Sequence, residues 1–143
     1  MEKFKLNERL EKGCVDFGSH GICRVLLKNN SHFLWFILVP EIAPSITEIH
    51  QLSEAQYNSI NASTRFIAGF LSDHFSPEKI NIANIGNVVR QMHIHVVGRN
   101  SSDPAWPGVV WACSEKQPYS EPRISEILSS YNEYSRSNHA TRQ

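Results

Sequence analysis

The chain has few cysteines, no excess of charge of either sign and no long apolar run. Its 143 residues include three cysteines, Cys14, Cys23 and Cys113, without CxxC spacing. This favours reduced thiols in a cytoplasmic protein over a disulfide framework. Lys and Arg together number 14, and so do Asp and Glu. Because binding to a nucleic-acid polymer requires a basic surface, the sequence predicts no such partner, although a local phosphate pocket stays compatible with it.

No membrane or secretion signal is recognisable either. The longest apolar run, residues 33–40, is less than half of a membrane span. The first five residues contain no apolar core of a signal peptide. We therefore expect a cytoplasmic protein without a membrane partner. The length and the hydrophobic content of 41% predict one globular domain over residues 1–143 with a sizeable core.

The hydrophobic periodicity predicts an α+β domain with a largely antiparallel sheet. The long central helix is predicted to begin after Ser53, where Gln56 completes a capping box. The polar stretch 132–143 is expected to fray. The predicted helices cover residues 7–13, 53–75 and a C-terminal stretch from Glu121, and the predicted strands cover residues 22–27, 32–39, 80–83 and 88–99.

The fourth predicted strand carries the chemistry-bearing residues. Side chains alternate across a strand, so Gln91, His93 and His95 are predicted to share one face, with Met92 and Ile94 on the core face. A polar row in such an apolar neighbourhood costs free energy unless its members find partners. The row therefore needs an explanation.

Three interpretations of the histidine pair are open from the residues alone. The two imidazoles are metal ligands, with His50, His74 or a cysteine completing the set, although no spacing suggests one. Alternatively, one histidine is a nucleophile or general base that the other polar groups orient. The third interpretation is a solvent-facing strand that happens to carry histidines.

The turn before this strand favours an anionic ligand. Gly86 permits a tight turn whose backbone N–H groups can face an anion, and Asn84 and Asn87 add neutral donors. Few acids lie nearby in the sequence. This set suits a phosphate ester better than a cation.

The segment Gln91-Met92-His93-Ile94-His95-Val96-Val97 resembles the His-φ-His-φ-His-φ-φ motif of the histidine-triad (HIT) superfamily, where φ is hydrophobic. Every position fits except the first, which is Gln91. The longer segment 86–99, followed by residues 103–108, resembles small bacterial HIT hydrolases described alongside diadenosine-polyphosphate hydrolases. The resemblance covers residues 20–110, with the motif region at 80–110, and implies a HIT-like antiparallel sheet.

The resemblance implies a homodimeric enzyme that binds a small nucleotide. His93 would attack the α-phosphorus of a nucleoside phosphoramidate or dinucleoside polyphosphate, giving a nucleotidyl-histidine that water cleaves. His95 would contact the phosphate or the leaving group. Neutral imidazole is nucleophilic near neutral pH without a metal. No metal or resident cofactor is therefore implied, and a divalent ion, if any, arrives with the nucleotide.

The same resemblance implies a set of substrate-binding residues. Asn81 or Asn84 corresponds to the family's asparagine before the motif, and Gly86 and Asn87 correspond to its Gly-Gln step. Trp106 is a candidate aromatic lid over the substrate, although a loop Trp is as often a packing anchor or a dimer contact. Val88 stands where the family often has a hydroxyl. The first hairpin is expected to contact the ribose or base through Leu26, Leu27, Asn29 or Asn30, although burial statistics favour core positions for both leucines.

The departure at Gln91 raises a second hypothesis. A Gln side chain accepts and donates hydrogen bonds but cannot carry a proton to a leaving group. If the family's first histidine acts as an acid, this chain lacks that function. The alternative is therefore a nucleotide-binding or sensing module with weak or no catalysis.

Overall fold

Five antiparallel strands and three α-helices make up the part of the chain that the computed structural model describes, residues 3–139. The α+β prediction is therefore confirmed. The elements are α1 (Glu8–Gly13), β1 (Cys14–His20), β2 (Cys23–Lys28), β3 (Leu34–Pro40), α2 (Glu54–Phe75), β4 (Lys79–Ala83), β5 (Ile94–Arg99) and α3 (Glu121–His139), with single 3₁₀ turns at Ile49–Gln51 and Val110–Ala112. The strands lie in the order β1-β2-β3-β5-β4.

Strand β1 is the element that the sequence analysis missed. Its pairing with β2 shifts register between Asp16 and Ser19, and Gly18 between them has a φ of +88°. Only Phe17 in this strand is buried. An irregular edge strand of this kind loses the two-residue alternation on which strand prediction depends.

Strand β5 is shorter than predicted. It begins at Ile94, not at Val88, because β4 pairs with it only from Lys79 opposite Arg99 to Ala83 opposite His95. Residues 84–93 form an irregular segment before the strand. The prediction that Gln91 and His93 belong to this strand is therefore wrong, although His93 directly precedes it.

The sheet buries apolar residues on both faces. One core lies between the sheet and the helices α2 and α3, and it includes Phe36, Leu38 and Val96. A second core on the opposite face includes Trp35 and Val97. The alternation along β5 therefore places Ile94 and Val96 towards the helices and His95 and Val97 towards the second core.

Helix α2 begins as predicted. The hydroxyl of Ser53 accepts a hydrogen bond from the Gln56 N–H (3.1 Å), and the Ser53 N–H donates to the Gln56 side chain (2.9 Å). This capping box satisfies two backbone groups at the first turn. The helix ends before Ser76, which is left-handed with a φ of 47° and precedes Pro77.

Helix α3 continues to His139, so residues 132–139, expected to fray, are helical. Tyr131 and Tyr134 pack against Phe66 and Phe70 of α2, which anchors this part of the helix. The remainder of the predicted frayed stretch, residues 140–143, lies outside the described residues.

The structure gives the state of the three cysteines and the apolar content of the described helices. Cys14, Cys23 and Cys113 are free thiols, and burial raises the pKa of Cys14 and of Cys23 to about 11. Of the helices within residues 3–139, none combines the length and the apolar content needed to cross a bilayer.

The loop after β5 is held by the buried Arg99 side chain. Its guanidinium donates to both carboxylate oxygens of Asp103 (2.7 and 3.0 Å), to the Asn81 side chain (2.8 Å) and to the Gly108 carbonyl (2.8 Å). Burial raises the pKa of Asp103, but the hydrogen bonds from Arg99 and from the backbone of Ala105 and Asn100 outweigh it and hold the pKa below its ordinary value. The ion pair therefore persists at neutral pH.

Replacing Asp103 by Asn is expected to lower the free energy of unfolding by about 3 kcal/mol, since it leaves the buried guanidinium without its counter-charge. Urea denaturation at neutral pH measures the loss. Glu41→Gln is the control, because Glu41 pairs with Arg24 at 3.5 Å on the surface and such pairs contribute less than about 1 kcal/mol. Equal small losses in both variants would contradict this account of the loop.

Candidate functional site

A cavity of about 490 Å³ opens on the sheet face opposite α2 and α3, and both histidines of the motif line it. Most of its wall is apolar, which matches the usual character of a small-molecule site. The lining residues are Arg9, Leu10, Lys28, Trp35, Ile37, Ile85, Asn87, Val88, Val89, His93, His95, Val109 and Trp111.

The His93 ring has its proton on Nδ1. That nitrogen lies 2.6 Å from the Gln91 carbonyl oxygen, which can only accept, so Nδ1 must donate. In the neutral ring the lone pair is therefore on Nε2. Burial lowers the pKa of His93, the Gln91 carbonyl opposes that shift, and the charge of Lys28 adds to it. Because the net shift is downward, His93 is neutral at pH 7 and carries a free lone pair.

The His95 ring has the opposite tautomer. Trp35 donates its indole N–H to His95 Nδ1 over 2.9 Å, and an indole N–H can only donate. Nδ1 therefore carries the lone pair and Nε2 carries the proton. Register places Trp35 here, since Ile37 of β3 pairs with His95 and Trp35 lies two residues away on the same face.

The His95 Nε2–H is buried and makes no hydrogen bond of ordinary geometry among the described residues. Burial and the neighbouring His93 lower the pKa of His95 to about 4, with Lys28 adding to the fall and the Ile85 carbonyl offsetting part of it. An unsatisfied buried donor is costly. A ligand that supplies an acceptor would satisfy it.

The two rings lie together, with centroids 4.7 Å apart and planes at 71°. The Trp111 ring lies edge-on to His95 at 4.9 Å and encloses it from another side. The site thus presents a lone pair on one ring and an N–H on its neighbour. This combination can attack an electrophilic centre and donate a hydrogen bond to charge that develops beside it.

The structure brings together some of the predicted site residues. Asn87 lines the cavity with His93 and His95. Asn87 also lines a second, more polar pocket with Asn84, Gly86 and Gln91, so the 84–91 segment separates the two. The predicted phosphate-binding turn is therefore next to the histidines.

Gln91 binds the N-terminal segment. Its side-chain oxygen accepts from the Asn7 N–H and its side-chain nitrogen donates to the Lys5 carbonyl, both over 2.8 Å. Asn7 is the N-cap of α1, so Gln91 ties the start of that helix to the residue that holds His93 Nδ1 through its carbonyl. Both polar ends of the Gln91 amide are thus engaged by backbone.

Other predicted residues lie elsewhere. The side chain of Leu27 is fully buried in the core beneath the helices, so the predicted ligand contact finds no support. Leu26 is buried in the second core and does not line the cavity. Asn81 accepts from Arg99. Trp106 is about one third exposed and lies 5.8 Å from the Arg99 guanidinium, in the loop after β5.

The asparagines after β2 hold a distant loop. Asn30 is buried, and its side chain bonds the Glu115 carbonyl (3.1 Å) and the His32 N–H (3.2 Å). The Asn29 side chain accepts from the Tyr119 N–H (2.9 Å). Both side chains have a structural partner, and neither residue lines the cavity.

Sequence reasoning missed the residues that complete the site: Arg9, Lys28, Trp35 and Trp111. A signal existed for two of them. Alternation along the hairpin places Lys28 on the face of Leu26 and Trp35 on the face of Ile37, which is the face of His95. Arg9 and Trp111 are brought in by tertiary contacts that no local pattern encodes.

The residues do not form a metal site. Within residues 3–139, no three His, Cys, Asp or Glu side chains are grouped as metal ligands would be. The His95 lone pair, on Nδ1, is already bound by the Trp35 indole N–H, so this ring has none to offer a metal ion. The described side chains therefore do not fit the metal-ligand interpretation of the His-x-His pair.

Comparison with known proteins identifies the family. The HIT domain family matches residues 9–102. A HIT protein of solved structure from Sinorhizobium meliloti is 36% identical, with a TM-score of 0.87, covering 92% of this chain and 96% of that chain. One from Marinobacter aquaeolei is 32% identical, with a TM-score of 0.87 and coverages of 92% and 96%. One from Bradyrhizobium japonicum is 27% identical, with a TM-score of 0.88 and coverages of 92% and 98%.

No curated protein gives a significant sequence match. The family match nevertheless spans more than half of the chain and includes both histidines of the motif. The fold, the adjacent His93 and His95 rings and these matches agree, and the chain belongs to the HIT domain family.

Proposed function

We propose that this protein is a nucleotide hydrolase that cleaves at an α-phosphate through a nucleotidyl-histidine on His93. The observation that carries the proposal is the tautomer of His93, whose Nδ1–H is held by the Gln91 carbonyl so that Nε2 offers its lone pair to the cavity side. Family membership supports a nucleotide as the ligand.

In the first step His93 Nε2 attacks the α-phosphorus, a P–N bond forms, and the bond from phosphorus to the leaving group breaks. The leaving group takes a proton from solvent. In the second step water attacks the same phosphorus and loses a proton to solvent, the P–N bond breaks, and His93 regains its lone pair while the nucleoside monophosphate leaves. Two displacements replace one difficult one.

His95 stabilises charge in both steps. Its buried Nε2–H makes no hydrogen bond of ordinary geometry among the described residues, and a phosphoryl oxygen would supply a better-placed acceptor than the Ile85 carbonyl. Because its pKa is lowered to about 4, His95 stays neutral and acts as a hydrogen-bond donor, not as an acid, near pH 7. Donors placed where charge develops are a major source of rate enhancement.

The proposed substrates are nucleoside phosphoramidates and dinucleoside polyphosphates, the latter suggested by the resemblance to diadenosine-polyphosphate hydrolases. Asn87, with Asn84 and Gly86 behind it, is proposed to contact the phosphate. The reaction as written needs no metal held by the protein, because neutral imidazole is itself the nucleophile. A divalent ion would enter only with a polyphosphate.

The alternative is a nucleotide-binding module with weak or no catalysis. One observation favours it: both polar ends of the Gln91 side chain are engaged by the backbone of Lys5 and Asn7, so this residue is not free to serve a leaving group. Tight binding of a nucleoside monophosphate without turnover of any phosphoramidate or dinucleoside polyphosphate would favour this alternative, and robust turnover would exclude it.

We further propose a homodimer. Strand β4 has one neighbour in the sheet, so its outer edge is open to pairing with a second copy. The Ile82 side chain of this strand is 54% exposed and would be covered by such a partner. Sedimentation equilibrium distinguishes the states. A mass near twice 16.3 kDa supports the dimer, and a mass near 16.3 kDa contradicts it.

His93→Ala is expected to lower turnover of a nucleoside phosphoramidate by at least about 10³-fold, because it removes the nucleophile. Rapid acid-free quenching followed by mass spectrometry should find one nucleoside monophosphate, less water, on the peptide containing His93 in the unaltered protein. His50→Ala is the control, since His50 is exposed and does not line the cavity. Full turnover in His93→Ala, or an adduct on another residue, would refute the mechanism.

The acid limb of kcat/KM is expected to lie below pH 6.5, the ordinary value for His, because burial lowers the pKa of His93. Activity is lost only as the pH falls through that lowered pKa, where protonation of Nε2 removes the lone pair. Initial rates with a phosphoramidate between about pH 5 and pH 8 measure the limb. A limb at or above pH 6.5 would show that the ring is not held neutral as described.

A further inference from the structure

Two cationic side chains, Arg9 and Lys28, line the cavity beside the histidines. Its described lining contains neither Asp nor Glu, and within residues 3–139 neither cation forms an ion pair. The whole chain is electrically neutral, with 14 basic and 14 acidic residues. The cavity therefore carries a local positive charge on a chain whose formal net charge is zero.

The Lys28 charge is held next to the reacting rings. Its Nζ lies 5.5 Å from the centroid of the Trp35 ring, where the negative face of the indole attracts a cation. The same indole bonds His95. Lys28 also lowers the pKa of both site histidines, which agrees with an ammonium group close to them.

The Arg9 charge is carried by a helix that is itself anchored. The Asn7 side chain caps α1 by accepting from the Arg9 N–H (2.9 Å), and Gln91 binds the backbone on the N-terminal side. Leu6 and Leu10 are buried in the second core, which fixes the inner face of the helix. Arg9 therefore stays at the cavity wall, with its side chain exposed to an incoming ligand.

Resting on the function proposed above, we propose that Lys28 and Arg9 select for negative charge beyond the α-phosphate, so that the site prefers nucleotides with a polyphosphate chain to phosphoramidates with an uncharged amine. The α-phosphate has its own neutral partners in His95 and Asn87. Lys28 and Arg9 would pair with the phosphates beyond the α-phosphate. Each added phosphate brings negative charge that the apolar wall alone would disfavour, and a cation offsets that cost.

Binding tests this without requiring turnover. Calorimetry at low ionic strength, without divalent ions, compares AMP with ATP and GMP with GTP for the unaltered protein, Lys28→Met, Arg9→Met and Lys28→Arg. The unaltered protein should bind the triphosphate more tightly than the monophosphate. The ratio of the monophosphate Kd to the triphosphate Kd should fall roughly tenfold in each methionine variant. Lys28→Arg should retain most of this ratio. Lys79→Met is the control, since Lys79 is exposed on β4 away from the cavity.

Equal affinity for mono- and triphosphates, or an equal loss for both in the methionine variants, would overturn the proposal. Turnover separates it from the proposed function. Hydrolysis of adenosine phosphoramidate and diadenosine tetraphosphate with equal sensitivity to Lys28→Met would leave the hydrolase intact and refute the selectivity. A triphosphate preference that depends on Lys28, without any turnover, would support the selectivity and refute the hydrolase. Failure to bind any of these nucleotides would refute both.

Discussion

The hydrogen bond from the Trp35 indole to His95 Nδ1 determines how the rest of the site works. It is buried, 2.9 Å long, and made by a group that can only donate. It places the His95 proton on Nε2, while the Gln91 carbonyl places the His93 proton on Nδ1. Two adjacent rings thereby offer different groups, a lone pair and an N–H. The β3–β5 register that pairs Ile37 with His95 makes this arrangement a consequence of the fold.

The two faces of the sheet differ in what they carry: one holds the larger apolar core, and the other holds the cavity with the histidines. The face under α2 and α3 holds the larger apolar core, with Ile94 and Val96 of β5 packed into it. The opposite face carries His95 and Val97 and is only partly covered by α1 and the 3₁₀ turn at Val110. The cavity is the gap in that cover. Gln91 and Arg99 secure its surroundings, one by binding the segment before α1 and the other by binding the loop after β5.

Much of the fold follows from local sequence patterns, but the site does so only in part. The capping box at Ser53 and Gln56 and the apolar run of β3 predicted their elements correctly. The motif predicted that His93 and His95 lie together, and the turn predicted Asn87 near them. All three residues line the same cavity. The extension of β5 back to Val88 was wrong, because residues 84–93 lack a full strand partner and Val88 is 74% exposed at the cavity mouth. Arg9, 84 residues from His93 in sequence, enters through tertiary packing.

The tautomers of the two rings are the most direct test of this account. Long-range ¹H–¹⁵N correlation spectra of the free protein near pH 7 report which nitrogen of each histidine carries the proton. The structure predicts a protonated Nδ1 and a bare Nε2 for His93, and a bare Nδ1 with a protonated Nε2 for His95. Identical tautomers in the two rings, or a proton on Nε2 of His93, would contradict the account.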